Sequence, residues 1–222
     1  LISPAGKIHR MINVLLVDDH ELVRTGIRRL LTDVKGIKVY AEVDSGEAAI
    51  DSVRKFCPDV VLMDVSMPGI GGLEATRRLT HAYPEIKVIV LTVHTDDPFP
   101  SQLLKAGAVG YLSKGCNVDE MINAIHQVAA GKRYISPTVA QSLALSLLPG
   151  TESPFQRLSR RELQVMMMLM QGNKMSDISE QLCLSPKTIS TYRYRLYDKL
   201  GVRTDAELTR LAIRHGMLDN IA

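Results

Sequence analysis

Asp18, Asp19, Asp64, Thr92 and Lys114 are the side chains whose types and spacing suit chemistry in this 222-residue chain. The stretch Asp59-Val-Val-Leu-Met-Asp64-Val-Ser66-Met-Pro68-Gly-Ile-Gly-Gly72 carries the central one. Val60 to Met63 form an apolar run too short for a buried helix and bounded by turn formers, which predicts a buried strand. Asp64 falls at its end, and Pro68, Gly69, Gly71 and Gly72 predict a loop before the helical pattern resumes at Leu73. Open α/β sheets build their sites at the carboxyl ends of strands. Three carboxylates there repel one another unless a divalent cation and the ammonium of Lys114 neutralise them. Oxygen ligands with room for water and phosphate suit Mg²⁺. Thr92 adds a donor for a phosphoryl oxygen. The set predicts a phosphoryl-transfer site in which an Asp carboxylate is the nucleophile.

The elements that must position these residues follow from periodicity. Ile12–Val17, Ile37–Val43, Val60–Met63, Lys87–Thr92 and Val109–Leu112 are strand-like. Glu21 onward, Gly46–Phe56, Leu73–His81, Phe99–Ala106 and Val118–Ala129 repeat at helical spacing. Five strands alternating with five helices predict one doubly wound parallel sheet with right-handed crossovers. Its rim gathers Asp18, Asp19, Asp64, Thr92 and Lys114. His20 and His94 lie near that rim without metal-ligand helical spacing and read as lining residues.

Charge divides the chain. Residues 11–130 carry twelve Lys/Arg against sixteen Asp/Glu, whereas residues 131–222 carry thirteen against eight. The second half is therefore suited to a polyanion. Its pattern is helical throughout. A capping box at Ser159-Arg160-Arg161-Glu162 opens a helix through Met170, and Ser176–Leu182 makes a short second one. Ser185-Pro186 opens a third, to about Leu200, and Thr204 starts a fourth. The second and third helices, with Cys183-Leu184 between them, read as a helix-turn-helix. On the third helix, Ile189, Tyr192, Leu196 and Leu200 form the inward stripe. Lys187, Ser190, Thr191 and Tyr194 form a stripe that can face bases, Arg193, Arg195 and Lys199 flank it for phosphates, and Thr188 is counted with this DNA-contacting set. The Met166–Met168 run reads as core filling.

Residues 1–10 have no signal-peptide core and are left out of the fold as a tag or upstream extension. Residues 131–154 form a connection with a short amphipathic helix after Ser136-Pro137 and a hinge at Pro149–Pro154. Three widely spaced cysteines argue against a disulfide framework, which suits a cytoplasmic protein. No apolar run is long enough to span a bilayer.

The first half resembles the receiver domain of two-component response regulators, a flavodoxin-like fold. Asp18-Asp19, Asp64 before Met67-Pro68-Gly69, Thr92, and Gly110-Tyr111-Leu112-Ser113-Lys114 carry the resemblance. It implies that Asp64 accepts a phosphoryl group from a sensor histidine kinase. It implies that Asp19, Asp64 and the Ser66 carbonyl hold Mg²⁺, with Asp18 acting through water. It also implies that Lys114 pairs with the phosphoryl group and that Thr92 and Tyr111 move when it arrives. The second half is similar to the DNA-binding domain of LuxR-type regulators through Leu158–Glu162, Leu184-Ser-Pro-Lys187-Thr188-Ile189 and Lys199-Leu-Gly-Val202. The whole resembles the NarL/FixJ class. Leu91-Thr-Val-His-Thr95, Ser153-Pro-Phe155 and Tyr192-Arg-Tyr-Arg195 resemble its GacA/UvrY/LetA branch, whose members work with hybrid sensor kinases on genes for small regulatory RNAs. That implies a transcription regulator rather than an enzyme, with domains at 11–130 and 155–222, binding double-stranded DNA as a homodimer.

Two rivals stand beside this reading. A Mg²⁺-dependent aspartyl-phosphate phosphatase has a similar rim but usually carries a second Asp two places after the nucleophile, where this chain has Ser66. A ligand-sensing LuxR-type regulator would hold a small apolar signal in its first domain, which the polar rim disfavours.

Overall fold

The structure, a computed structural model, describes residues 11–92, 99–145 and 153–215. Residues 1–10, His94 and most of the predicted hinge lie outside the described residues. The sheet comprises β1 (Ile12–Val17), β2 (Ile37–Val43), β3 (Val60–Asp64), β4 (Lys87–Thr92), β5 (Gly110–Ser113) and β6 (Tyr134–Ile135), in the order β2-β1-β3-β4-β5-β6 and wholly parallel. The helices between them are α1 (Glu21–Thr32), α2 (Gly46–Lys55), α3 (Gly71–Ala82), α4 (Phe99–Lys105) and α5 (Val118–Ala129).

The prediction of five strands is corrected to six. β6 pairs Tyr134 with Gly110 and Ile135 with Tyr111, and two residues are too few to show an alternation. The pairing ties the start of the connection to the sheet, and α6 (Pro137–Leu145) begins directly after it.

Period-two alternation divides the strands between two apolar layers. Leu15, Val17, Val61, Met63, Val88 and Val90 face α2, α3 and α4 through Ala49, Val53, Leu79 and Leu103. Val14, Leu16, Val60, Leu62, Ile89 and Leu91 face α1 and α5 through Ile27, Leu31, Ala124 and Ile125. Every residue of β3 is buried, as a central strand covered on both sides requires.

A 3-10 turn (Pro154–Arg157) leads into α7 (Arg160–Met170), α8 (Met175–Gln181), α9 (Pro186–Leu200) and α10 (Asp205–Arg214). The capping box of α7 is present in both directions, Ser159 Oγ accepting from Glu162 N–H and Glu162 Oε2 from Ser159 N–H. α9 has Ser185 as its cap, Pro186 at its first position and Gly201 in the left-handed conformation after its end. Met166 and Met168 are buried as core. No helix among the described residues is long and apolar enough to cross a membrane.

Candidate phosphoryl-transfer site and DNA-binding face

β1 and β3 are neighbours in the sheet, so their carboxyl ends carry Asp18 and Asp64 to one place. Both are essentially excluded from solvent, at 0% and 1% exposure. Carboxyl oxygens of Asp18, Asp19 and Asp64, with a ring nitrogen of His20, all lie within 4.8 Å of one another. Lys114 follows β5, its N–H donating to the Thr92 carbonyl at 2.9 Å. Its ammonium lies 2.8 Å from Asp18 Oδ2 and 3.0 Å from Asp64 Oδ2. One cation thus bridges the two buried acids.

Local geometry fixes the acids. Asp64 Oδ1 accepts from the Ser66 N–H at 3.3 Å, and Asp18 Oδ1 accepts from the His20 N–H at 2.8 Å. Arg24 donates to the Asp18 carbonyl. α3 begins hard against the end of β3: a Cβ on Gly72 would stand 1.9 Å from the Asp64 carbonyl oxygen, so only glycine permits this approach.

Burial pushes the Asp64 carboxyl above its ordinary range, and the nearby Asp18 adds to this, while Lys114 and the Ser66 N–H offset only part of the rise. For Lys114, burial disfavours the ammonium, but the Asp64 charge and the bonds to both acids outweigh it and raise its pKa. Asp18 Oδ2, Asp19 Oδ1 and Asp64 Oδ2 are buried and have no hydrogen-bond donor beyond the ion pairs to Lys114 and His20. An oxygen-rich, under-neutralised donor set of this kind fits a hard divalent cation.

The structure brings Asp18, Asp19, Asp64 and Lys114 together at one rim, with Ser66 beside Asp64. Thr92, fully buried, ends β4 opposite Ser113. Tyr111 is also fully buried, in β5, and its carbonyl accepts from Ser136 N–H where the connection joins the sheet. His20 is closer to the acids than a lining residue need be, with Nδ1 at 3.2 Å from Asp18 and 3.0 Å from Asp19.

On α9 the inward stripe holds: Ile189 and Leu196 are fully buried, with Tyr192 and Leu200 half-buried. Lys187, Ser190, Thr191, Tyr194 and Arg195 are exposed, Tyr194 to 73%. Five members of the predicted DNA-contacting set have partners inside the domain: Ser190 and Thr191 donate to the Pro186 and Lys187 carbonyls one turn back, and Thr188, Arg193 and Lys199 are also held. Thr188 joins the helix cap at Ser185. Arg193 donates to Tyr197 and, at 2.6 Å, to Asp205. Lys199 donates at 2.6 Å to Glu162, the buried acid of the α7 capping box. These two cations hold α9 to α10 and α7, pairings that helical spacing within α9 alone could not reveal. Ser179 is buried and donates to the Leu184 carbonyl across the helix-turn-helix corner, where Cys183 takes a left-handed conformation.

Sequence reasoning also missed the contacts between the halves. Gln164 donates to the Ile70 carbonyl at 2.7 Å, and Gln181 accepts from the Gly69 N–H at 3.1 Å. From α2, Glu47 accepts from the Ile70 N–H at 2.9 Å. The loop two turns beyond Asp64 is thus held from both domains. A polar residue at a helical position gives no sign of its distant partner; the only cue was Gln164 within an otherwise apolar face.

Comparison with known proteins agrees with this geometry. The response regulator receiver domain family matches residues 14–126, and the luxR family of bacterial regulatory proteins matches residues 156–212. The response regulator GacA of Pseudomonas aeruginosa is 56% identical over 94% of this chain and 99% of its own length. The response regulator UvrY of Escherichia coli is 57% identical over 93% of this chain and 96% of its own. Among solved structures, the response regulator RcsB of Salmonella enterica serovar Typhimurium, bound to promoter P1flhDC with the phosphomimetic BeF3-, superposes with a TM-score of 0.74 at 26% identity, covering 91% of this chain and 98% of that one. The chain belongs to the two-component response regulators that join a receiver domain to a LuxR-type DNA-binding domain.

Proposed function

We propose that Asp64 is the phosphoacceptor of this response regulator and that α9 is its DNA-reading helix. A carboxylate oxygen of Asp64 attacks the phosphorus of a phosphohistidine on a sensor kinase. The new P–O bond forms as the P–N bond breaks, and the imidazole keeps the electron pair. Asp19, Asp64 and the Ser66 carbonyl, with Asp18 acting through water, would hold Mg²⁺, which would supply charge neutralisation for the transferred group. Lys114 releases its contact with the acid and pairs with a phosphoryl oxygen, while the Thr92 hydroxyl satisfies another. These shifts bias β5 through Tyr111, whose carbonyl holds the start of the connection.

The observation that carries the reading is the bridge from Lys114 to Asp18 and Asp64 at 2.8 and 3.0 Å, beside a third carboxylate within metal-ligand reach. Domains at 11–130 and 155–222, joined by 131–154, give each half one chemistry. In the cytoplasm the regulator binds paired half-sites on double-stranded DNA as a homodimer. Exposed Lys187, Ser190, Thr191 and Tyr194 face bases and Arg195 a phosphate. Incubation with acetyl phosphate and Mg²⁺ should add one acid-stable, base-labile phosphoryl group. Asp64→Asn should abolish it, and labelling that persists in that variant would remove the assignment.

A further inference from the structure

At the opposite end of the sheet from Asp64, a cationic cleft runs between the two halves of the molecule. One part, of about 520 Å³, is lined by Arg77 and His81 of α3, Lys87 at the start of β4, Lys105 at the end of α4, and Arg160 at the start of α7. A second part, of about 230 Å³, shares Arg77 and Arg160 and adds Arg161 and Glu74. The six-residue length of β4 puts Lys87 about 17 Å from Thr92, so the first part, where Lys87 and Lys105 lie, is separate from the acidic rim.

Glu74 is the acid inside it, and that charge is already met. Arg77 binds it with two hydrogen bonds, Arg78 with a third, and Arg161 approaches to 3.9 Å. Three guanidinium groups on one carboxylate leave an excess of positive charge. Lys87, Lys105 and Arg160 have no carboxylate within ion-pair distance among the described residues. Glu85, on the adjoining turn, is exposed.

Helix stability accounts for only some of these cations. Lys105 and His81 lie in the last turns of their helices, where positive charge is favoured. Arg160 and Arg161 occupy the first turn of α7, where it is disfavoured. Like charges gathered about a concave surface focus a positive potential that an anion relieves. The guanidinium groups supply the forked geometry that suits phosphate oxygens.

We propose that this cleft binds a small anion carrying two or more phosphate groups, held between Lys87 and Lys105 of the receiver domain and Arg160 of the DNA-binding domain. A single phosphate leaves much of the excess charge unmet, whereas a di- or triphosphate spans the lysines and the arginine together. Because the ligand touches both domains, it favours their docked arrangement; at a hundredfold excess over its dissociation constant, that arrangement is favoured about a hundredfold. The proposal does not depend on which residue accepts the phosphoryl group.

The test is calorimetric titration of the full chain with sodium tripolyphosphate in Mg²⁺-free buffer at physiological salt. The expected result is one saturable site, weakened about tenfold by Lys105→Glu and by Arg160→Glu and unchanged by Lys187→Ala. Circular dichroism verifies folding, and Lys105→Gln with Arg160→Gln replaces the charge reversals should either fail to fold. Absence of saturation up to about 1 mM overturns the proposal. So does affinity that survives the cleft substitutions, or a loss confined to Lys187→Ala, which would put the anion on the DNA-reading face instead.

Discussion

Gln164 of the DNA-binding domain donates a 2.7 Å hydrogen bond to the carbonyl of Ile70, six residues past Asp64. Its own carbonyl is held by Arg161, which fixes the amide's orientation. With Gln181 on Gly69, the bond gives the loop after the acid a direct connection to α7 and α8. Gln164→Ala leaves the Ile70 carbonyl without its donor at a buried contact, at a cost of about 1 kcal/mol, enough to shift the docking equilibrium about fivefold. Small-angle scattering should show a larger radius of gyration for Gln164→Ala combined with Gln181→Ala, and hydrogen exchange should rise at residues 69–72. Unchanged scattering and exchange would mean that the apolar contacts alone hold the domains.

Glu74 makes stability depend on acid. Burial acts to raise its pKa, but hydrogen bonds from Arg77 and Arg78 and the charge of Arg161 overcome that and lower it from 4.5 to about 2. Its folded value lies below its unfolded value, so the unfolded chain takes up the proton first. The contribution is full above about pH 4.5 and is lost as pH falls toward 2. It amounts to about 3 kcal/mol. Urea unfolding should show Glu74→Gln destabilised at pH 7, with the gap to the parent chain closing as pH approaches 3. A gap independent of pH would assign the loss to packing instead.

Much of this was legible from short-range pattern. The α7 capping box, the Ser185-Pro186 start of α9 and the apolar runs of β1, β3 and β4 each depend on neighbours in sequence, and each forms as the residues predict. The acid rim was legible because parallel topology dictates which strand ends meet. β6 was not, being too short to show a period, and α3 starts two residues before Leu73 because Gly71 and Gly72, read as loop formers, are required by the close approach to Asp64. The partners of Arg193, Lys199 and Gln164 were illegible because each lies on another helix or in the other domain.

Repulsion at the rim should be measurable as stability. Asp19 lies among buried acids that Lys114 only partly neutralises, and removing one charge relieves the crowding when no metal is bound. Asp19→Asn should therefore melt a few degrees higher than the parent chain in EDTA, roughly 1 kcal/mol for a domain of this size. Millimolar Mg²⁺ should raise the melting temperature of the parent chain and leave the variant nearly unmoved. Equal Mg²⁺ shifts in the two proteins would take Asp19 out of the metal site.

Lys199 and Arg195 lie on the same helix and should fail in different ways. Arg195 is exposed and has no carboxylate partner among the described residues, so Arg195→Ala should weaken DNA binding and reduce the salt slope by about one. Lys199 is bound to Glu162, a side chain only 4% exposed. Lys199→Ala strands that buried carboxylate, which then keeps only its capping bonds to Ser159. Breaking such a pair costs about 1–2 kcal/mol after allowance for the solvent around the lysine. The expected outcome is a lower melting temperature with an unchanged salt slope for DNA binding by the folded fraction. A reduced slope without loss of stability would return Lys199 to the phosphate-contacting set.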